Sequence, residues 1–252
     1  MSTPTQRVVL VHGNPETADI WTPLVALLPH WNATLLSPPG FGAPVPDGFS
    51  CTMLEYRDWL IAQLDSIGEP VHLVGHDWGG LHVVNTVAAR PDLVSSWASD
   101  TVGMFAPHYR WHASAAQWQA ADTGLRYAQE VFGSGLDVFA EFLSAKGMPE
   151  PWATVVAAGH HRDLAPAVVA LYRSARQPAL RQAGANLGPL PARGLVIDCG
   201  RDINTGSGVM RTEMAHRCGA EVVQFPDLGH WWMLEDPERA AYTLESLWQQ
   251  GE

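Results

Sequence analysis

The chain has 252 residues, of which 46% are hydrophobic, and a formal net charge of −11 at pH 7. A chain of this length can bury a large core, and it suits one domain with an insertion better than two equal domains. The negative charge would repel nucleic-acid phosphates, and no stripe of Lys and Arg offsets it, so we expect no nucleic-acid partner.

The cellular setting is predicted from three simple features. The sequence has no run of about eighteen apolar residues, so we expect neither a membrane span nor a membrane partner. Residues 1–7 have no apolar segment of the kind found in secretion signals. The three cysteines are few and form no metal-like cluster, which argues against a disulfide framework. We therefore expect a cytoplasmic protein that needs no cofactor and no metal.

Strands and helices alternate in the first part of the chain. The apolar segment Arg7–His12 is typical of an interior strand and is followed by a loop at residues 13–15. The next predicted elements are a helix at about Trp21–Leu28, a strand at Ala33–Leu36, a helix that starts in a Thr52/Glu55 capping box and ends at Gly68, a strand at residues 71–74, a helix at Gly80–Ala89 and a strand at Leu93–Ser99. This alternation predicts a mainly parallel sheet whose ligand site lies at the C-terminal ends of its strands.

The alternation stops at about residue 102 and resumes at about residue 191. We interpret residues 102–190 as a helical cap domain inserted into a core domain made of residues 1–101 and 191–252. In the second part of the core we predict a strand at Gly194–Cys199, a helix near Ser207–Cys218, a strand at Glu221–Phe225 and a helix at about Pro237–Gln249.

Residues 75–79, Gly-His-Asp-Trp-Gly, form the most informative motif. They match a small-x-nucleophile-x-small turn between a strand and a helix, in which the flanking glycines leave room for the two elements to approach. Asp77 would then stand above the end of the sheet, where the start of the helix favours an anion. The alternatives are that Asp77 is only a helix N-cap, or that the glycine-rich turn binds phosphate.

Two further residues complete a nucleophile, acid and base in the chain order 77, 202, 230. Asp202 follows the strand that ends at Cys199, and His230 follows the last predicted strand. A lone loop histidine is more often without a catalytic role, so the inference depends on all three positions together.

With this motif and this order, the chain resembles the α/β-hydrolase superfamily, in the aspartate-nucleophile branch of epoxide hydrolases and haloalkane dehalogenases. The resemblance covers nearly the whole chain and implies an α/β-hydrolase fold. This family usually has two strands before the His-Gly loop, whereas eleven residues precede His12 here. We therefore expect a trimmed, mainly parallel sheet of about six strands flanked by helices.

The resemblance also implies a mechanism. A carboxylate with a pKa of ~3.9 is already ionised at neutral pH, so Asp77 can attack a saturated carbon and form an alkyl ester. His230 would activate the water that hydrolyses the ester, with Asp202 orienting its ring. The backbone N–H groups of Trp78 and Asn14 would hold the oxyanion. Asp100 is the alternative acid, because some similar dehalogenases take theirs from the end of that strand.

The leaving group separates the two activities. Opening an epoxide requires a proton, which similar epoxide hydrolases supply from two cap tyrosines. Tyr172 and Tyr127 lie near the expected positions, although each could instead be a half-buried structural residue. Asn14 and the Trp78 indole match the halide-binding pair of one dehalogenase subgroup. Trp78 occurs in both classes of enzyme, so the choice depends on the other residues. The two tyrosines support an epoxide hydrolase and Asn14 supports a dehalogenase, and we favour the epoxide hydrolase.

We therefore predict an enzyme that opens an epoxide on a small apolar or aromatic substrate to a diol, using water and no cofactor. A haloalkane dehalogenase is the alternative, and a non-catalytic binding protein or an ordinary esterase is less favoured. A small anionic substrate is not expected, because Trp78 and Gly79 stand where fluoroacetate dehalogenases carry arginines. The sequence leaves a homodimer open.

Overall fold

The computed structural model describes residues 7–249. Residues 1–6, which include most of the segment used to argue against a secretion signal, and residues 250–252 lie outside the described residues. Within residues 7–249, the helices are too short or too polar to cross a bilayer.

Six parallel strands form one sheet in the described part of the chain. They are β1 (Arg7–Val11), β2 (Asn32–Leu36), β3 (Val71–Gly75), β4 (Val94–Ser99), β5 (Arg193–Cys199) and β6 (Glu221–Phe225). Their order across the sheet is β2-β1-β3-β4-β5-β6, and each neighbouring pair is parallel. The predicted parallel sheet of about six strands is therefore confirmed for residues 7–249. Because the strands are parallel, their C-terminal ends lie along one edge of the sheet, which we call the rim.

Helices flank the sheet and fill the segment between β4 and β5. The α-helices of residues 7–249 are α1 (Thr22–Ala26), α2 (Met53–Ile67), α3 (Trp78–Ala89), α4 (Ala113–Gln119), α5 (Gly124–Phe132), α6 (Leu136–Ala145), α7 (Trp152–Ala158), α8 (Leu164–Ser174), α9 (Ala179–Asn186), α10 (Gly208–Cys218), α11 (Trp232–Glu235) and α12 (Pro237–Gln249). Short 3-10 helices precede α1, β4 and α4.

Most predicted elements are found, with small changes at their ends. The capping box of α2 is formed as expected, with Thr52 and Glu55 each accepting a hydrogen bond from the other's backbone N–H. The helix predicted at Trp21–Leu28 begins earlier, as a 3-10 turn over Ala18–Trp21, and its α-helical part ends at Ala26. The helix after the elbow starts at Trp78 rather than Gly80, immediately after the turn.

The core lies on both sides of the central strands and continues into the insertion. The residues of β1 from Val8 to Val11 have no exposed surface, as expected of an interior parallel strand. Helices α4 to α9 form the expected helical insertion between β4 and β5, and α8 packs against α4, α5 and α2. The exact limits of the cap domain stay a prediction.

Candidate functional site

Asp77 lies in a strained turn between β3 and α3. Its φ of 48° and ψ of −126° belong to a region that residues with a side chain rarely adopt. Its carboxylate makes no capping hydrogen bond to α3 within the described residues. Instead, the backbone N–H of Asn14 donates to Asp77 Oδ2 over 2.9 Å. This geometry does not support the alternative that Asp77 is only a helix cap.

Glycines make this turn sterically feasible. A Cβ on Gly75 would lie 2.4 Å from the carbonyl oxygen of Gly79, and a Cβ on Gly79 would lie 2.2 Å from that of Val11. A Cβ on Gly13 would lie 2.5 Å from the Asp77 carboxylate. The loop after β1 therefore packs directly on the turn, which explains how the Asn14 backbone reaches the carboxylate.

His230 and Asp202 meet at the rim. His230 lies in the loop before α11, Asp202 lies in the loop after β5, and Nδ1 of the imidazole is 2.9 Å from Asp202 Oδ2. Burial lowers the pKa of His230, but the charge and hydrogen bond of Asp202 outweigh it and raise the pKa to about 9. Burial raises the pKa of Asp202, but the charge of His230 outweighs it and brings the pKa well below its usual range. The pair therefore stabilises the imidazolium form of His230.

Asp77 and His230 line the same cavity. Burial raises the pKa of the Asp77 carboxyl to about 6, although the nearby positive charge of His230 opposes this rise. Since Nδ1 of His230 faces Asp202, Nε2 is the ring nitrogen left to exchange a proton, and it lies 3.9 Å from Glu16 Oε1. The cavity thus contains a carboxylate that is largely ionised at neutral pH and a histidine oriented by a second carboxylate.

Asp100, the alternative acid, contacts a different histidine. Its Oδ2 lies 2.5 Å from His76 Nδ1 and accepts a hydrogen bond from the Trp232 indole over 2.7 Å. Its Oδ1 accepts the backbone N–H of Asp77 over 3.0 Å. Asp100 therefore stabilises the turn that carries Asp77. The carboxylate that contacts His230 Nδ1 is that of Asp202 and not that of Asp100.

Glu16 is a site residue that sequence reasoning missed. It is fully buried, and its Oε1 lies 3.0 Å from His76 Nε2 and 2.7 Å from the indole nitrogen of Trp231. Its Oε2 accepts the backbone N–H of Gly13 over 2.9 Å. Burial raises the pKa of Glu16, but the charge and hydrogen bond of His76 outweigh it and lower the pKa to about 2. The available signal was its position, five residues after the end of β1 at the rim.

His76 is held as an imidazolium between two carboxylates. Both ring nitrogens face an acceptor oxygen, one from Asp100 and one from Glu16, so both must carry a proton. Burial lowers the pKa of His76, but the charges of Glu16 and Asp100 outweigh it and raise the pKa well above its usual value. A neutral imidazole would instead turn the lone pair of one ring nitrogen toward a buried carboxylate oxygen.

One group of side chains in the described residues has ligand atoms close enough to hold a metal. Glu16, His76 and His230 place one atom each within 4.8 Å of one another. However, both nitrogens of His76 are already at hydrogen-bonding distance from carboxylates, and His230 Nδ1 faces Asp202. A metal ion would have to displace a charged hydrogen bond, so we interpret this group as a proton-bearing network.

Of the two tyrosines predicted to donate a proton, Tyr172 lies at the cavity. The side chain of Asn14 donates to its hydroxyl over 3.4 Å, and its ring lies 5.0 Å from the Trp78 ring. Burial and the negative charge of Asp77 raise the pKa of Tyr172 well above its usual value, so it is protonated. Tyr127 is half-buried on α5 and is not among the described residues that line the cavity. The hydroxyl of Tyr109 is engaged elsewhere, since it donates to the Asn204 carbonyl over 2.8 Å.

The insertion contributes polar residues to the cavity that the sequence did not single out. Beyond the predicted residues, the insertion supplies His112, Ser114, Trp118, Phe142 and Lys146. The rest of the lining comes from the loops after β1, β5 and β6: Pro15, Asn204 and Trp231. The cavity wall is therefore aromatic with a few polar groups, which is typical of small-molecule sites.

Arg211 on α10 anchors the loop that carries Asp202. Its guanidinium donates to Asp198 over 2.6 Å, to the Cys199 carbonyl over 3.0 Å and to the Gly206 carbonyl over 2.6 Å. This side chain is almost fully buried. The loop between β5 and α10 is thus tied down at both of its ends, which holds Asp202 toward His230.

The chain was compared with known proteins. A model described as the alpha/beta hydrolase family matches residues 8–241. A stretch of 97 residues, 36% of this chain, is 29% identical to a protein of Bacillus subtilis (strain 168) named uncharacterized carboxylesterase nap, and it covers 31% of that relative. The chain therefore spans only about a third of the length of this curated relative.

Two solved structures illustrate the similarity of fold. The epoxide hydrolase VrEH1 from Vigna radiata gives a TM-score of 0.75 at 15% identity, over 98% of this chain and 92% of that chain. The haloalkane dehalogenase DbeA-M1 loop variant from Bradyrhizobium elkanii gives 0.71 at 18% identity, over 98% and 92%. At these identities, the similarity demonstrates a common fold and leaves the substrate to be argued from the site.

Proposed function

Because this chain belongs to the alpha/beta hydrolase family, we propose that it opens an epoxide to a vicinal diol through an alkyl ester on Asp77. The observation that carries this proposal is the position of the Tyr172 hydroxyl, which Asn14 contacts from the same loop that binds Asp77. A protonated phenol beside the nucleophile is the group that an opening epoxide needs and a departing halide does not.

In the first step, a carboxylate oxygen of Asp77 attacks an epoxide carbon and the carbon–oxygen bond of the ring breaks. The resulting alkoxide takes the proton of the Tyr172 hydroxyl. The rise in the Tyr172 pKa on burial keeps this proton in place until a strong base appears. The backbone N–H of Asn14 contacts one carboxylate oxygen, so it is suited to hold the ester carbonyl and later the oxyanion.

In the second step, Nε2 of His230 removes a proton from water, and the hydroxide attacks the ester carbonyl carbon. Because its raised pKa keeps His230 protonated in the resting site, its Nε2 proton first passes to the phenolate left on Tyr172, which restores the phenol and frees Nε2 to act as the base. When the tetrahedral intermediate collapses, the departing alcohol oxygen takes the proton from His230. The proton left on the regenerated Asp77 carboxyl returns to His230 and restores the imidazolium of the resting site.

The haloalkane dehalogenase alternative would use the Asn14 amide and the Trp78 indole as a halide site. The Asn14 amide already donates to the Tyr172 hydroxyl, which therefore occupies part of the space that a halide would need. An ordinary esterase is less favoured, because position 77 carries a carboxylate and attack on an acyl carbon would give an unstable anhydride. These observations favour the epoxide.

The proposal is tested by exposing the protein to a panel of epoxides and a panel of haloalkanes and measuring diol and halide. We expect diol. The variant His230→Gln should trap the ester, seen by mass spectrometry as substrate added to the Asp77 peptide. The exposed His216 on α10 offers a matched control, since His216→Gln should turn over normally. Halide without diol, or an unmodified Asp77 after exposure to a confirmed substrate, would overturn the proposal.

The role of Tyr172 has its own test. We expect Tyr172→Phe to reduce epoxide opening by about 10²–10⁴-fold, the usual contribution of a general acid, while sparing displacement of halide. Tyr127→Phe is the matched control, because Tyr127 is half-buried on α5 away from the cavity lining. An equal loss in both variants would remove Tyr172 from its proposed role. Tight binding of epoxides without turnover would favour a non-catalytic binding protein.

A further inference from the structure

Lys146 is the only lysine in the sequence, and it lines the same cavity as Asp77. It follows the last residue of α6 and is exposed, whereas Asp77 is buried, so it marks the solvent side of the cavity. Its ammonium group lies 5.6 Å from the centre of the Phe142 ring. In residues 7–249 no carboxylate pairs with it, although the chain carries 26 acidic residues.

Three hydrogen-bond donors from neighbouring segments accompany Lys146. Nδ1 of His112 accepts the N–H of Ala115 over 3.2 Å, so its Nε2 carries the ring hydrogen. Burial and then the charge of Lys146 lower the pKa of His112 to about 4, which keeps the ring neutral, and both side chains line the cavity. The side chains of Ser114 and Asn204 also line the cavity, and no hydrogen bond engages them within the described residues.

We propose that Lys146, His112, Ser114 and Asn204 form an anion subsite, and that the substrate is an amphiphile whose apolar part reaches Asp77 while its carboxylate binds this subsite. This inference rests on the proposed function for the reacting end of the substrate. The carboxylate lies away from the reacting carbon, as it must, because the negative charge of Asp77 would repel an anion bound beside it. The arrangement also agrees with the absence of arginines next to the nucleophile.

The net negative charge of the protein explains why a lysine at the cavity would matter for binding a carboxylate. A protein with a net charge of −11 repels anions at long range, so a local cation is needed to bring a carboxylate to the cavity. A purely apolar substrate that covered this exposed ammonium on binding would remove its water without supplying a partner. A carboxylate that accepts hydrogen bonds from all four side chains removes this cost.

The subsite is tested by binding, which does not depend on turnover. Decanoate and decanamide have the same apolar chain, and the fluorescence of Trp118 and Trp231 in the cavity reports their binding. We expect the wild type to bind decanoate at least about tenfold more tightly, and Lys146→Met to lose this difference. Arg126→Met is the matched control, because it removes the same charge from an exposed side chain on α5 outside the cavity lining.

Turnover then separates the two proposals. With an epoxide that carries a terminal carboxylate, Lys146→Met should raise KM by about tenfold or more and leave kcat close to that of Arg126→Met. If decanoate is preferred but no epoxide is opened, the subsite stands and the proposed function fails. If epoxides are opened but the wild type shows no preference for decanoate, or if Lys146→Met keeps that preference, the subsite is refuted while the function stands.

Discussion

Replacing Asp202 with asparagine removes the charge that faces His230 and preserves the size of the side chain. Oδ1 of Asp202 accepts the N–H of Asn204 over 2.7 Å, and Oδ2 lies 2.9 Å from His230 Nδ1. An asparagine can keep the first of these hydrogen bonds. The main change in Asp202→Asn is therefore the loss of the interaction that raises the pKa of His230.

The expected size of the effect follows from that pKa. Each pKa unit corresponds to roughly 1.4 kcal/mol, so the rise in the His230 pKa from 6.5 to about 9 corresponds to about 3 kcal/mol. Because the pKa is raised in the folded state, this stabilisation is complete below pH 6.5 and is lost as the pH rises through about 9. Asp202→Asn should therefore lower the free energy of unfolding by about 3 kcal/mol more near pH 6 than near pH 10.

Urea unfolding across this pH range measures the difference, and NMR titration of the imidazole measures the pKa directly. The matched control is Asp198→Asn, which removes a buried carboxylate from the same strand end that pairs with Arg211 instead of a histidine. Its cost should not change over this pH range, because the guanidinium does not titrate there. Asp100→Asn should lower the pKa of His76 and should not lower that of His230, because the positive charge of His76 itself lowers the pKa of His230.

Two outcomes would refute this reasoning. In the first, His230 in Asp202→Asn would still titrate as in the wild type. In the second, Asp100→Asn would lower the pKa of His230, which would make Asp100 the acid of the site. Either outcome would also remove the basis for assigning Nε2 of His230 as the base.

Three further predictions concern the support of the site. Glu16→Gln places an amide among buried donors and leaves the His76 imidazolium with one carboxylate, so we expect a loss of about 3 kcal/mol in unfolding free energy, or roughly 6–12 °C in Tm. Arg211→Met should cost about 3–5 kcal/mol, because it leaves a buried carboxylate unpaired, and it should also reduce turnover by releasing the Asp202 loop. Gly79→Ala should destabilise by more than about 3 kcal/mol, since its Cβ would lie 2.2 Å from the Val11 carbonyl oxygen, and thermal unfolding measures this loss.

Each of these variants has a matched control that differs in burial. Glu213→Gln removes the same charge from an exposed side chain, and Arg239→Met breaks an exposed ion pair with Asp227. Gly188→Ala adds a methyl group where no atom lies within 4 Å. We expect these three controls to unfold close to the wild type. Each prediction is contradicted if the variant unfolds and turns over like its control. For Glu16→Gln this would contradict the role of Glu16 beside His76, and for Arg211→Met the anchoring of the Asp202 loop. For Gly79→Ala it would contradict the tight packing of the turn.

Local patterns in the sequence were sufficient to predict the sheet and the turn at its centre. The alternation of short apolar runs with helical segments predicted six parallel strands and an inserted helical segment, and both are found. The glycines around Asp77 predicted a tight turn between a strand and a helix, and the distances at Gly75 and Gly79 explain why no larger residue fits. These features depend on neighbours in the chain, which is why they can be predicted from it.

The partners of the rim side chains could not be predicted in this way. Asp202 and Asp100 both follow strands, and Asp202 was favoured only because its Gly-x-Asp turn matches the commoner placement in similar proteins; in the structure Asp100 turns toward His76 while Asp202 turns toward His230. An acidic residue in a loop is usually solvated, so the burial of Glu16 became apparent only when the loops after β1, β3 and β6 were brought together.

The side chains of the insertion that reach the cavity were the hardest to predict from the sequence. Tyr172 and Tyr127 were both predicted as proton donors, with Tyr172 favoured, and in the structure α8 carries Tyr172 into the cavity while Tyr127 on α5 is not among its lining residues. Lys146 carried no local signal at all, although it lies on the solvent side of that cavity. The strand ends follow from backbone periodicity, whereas the direction of a side chain on a cap helix depends on how that helix packs against distant parts of the chain.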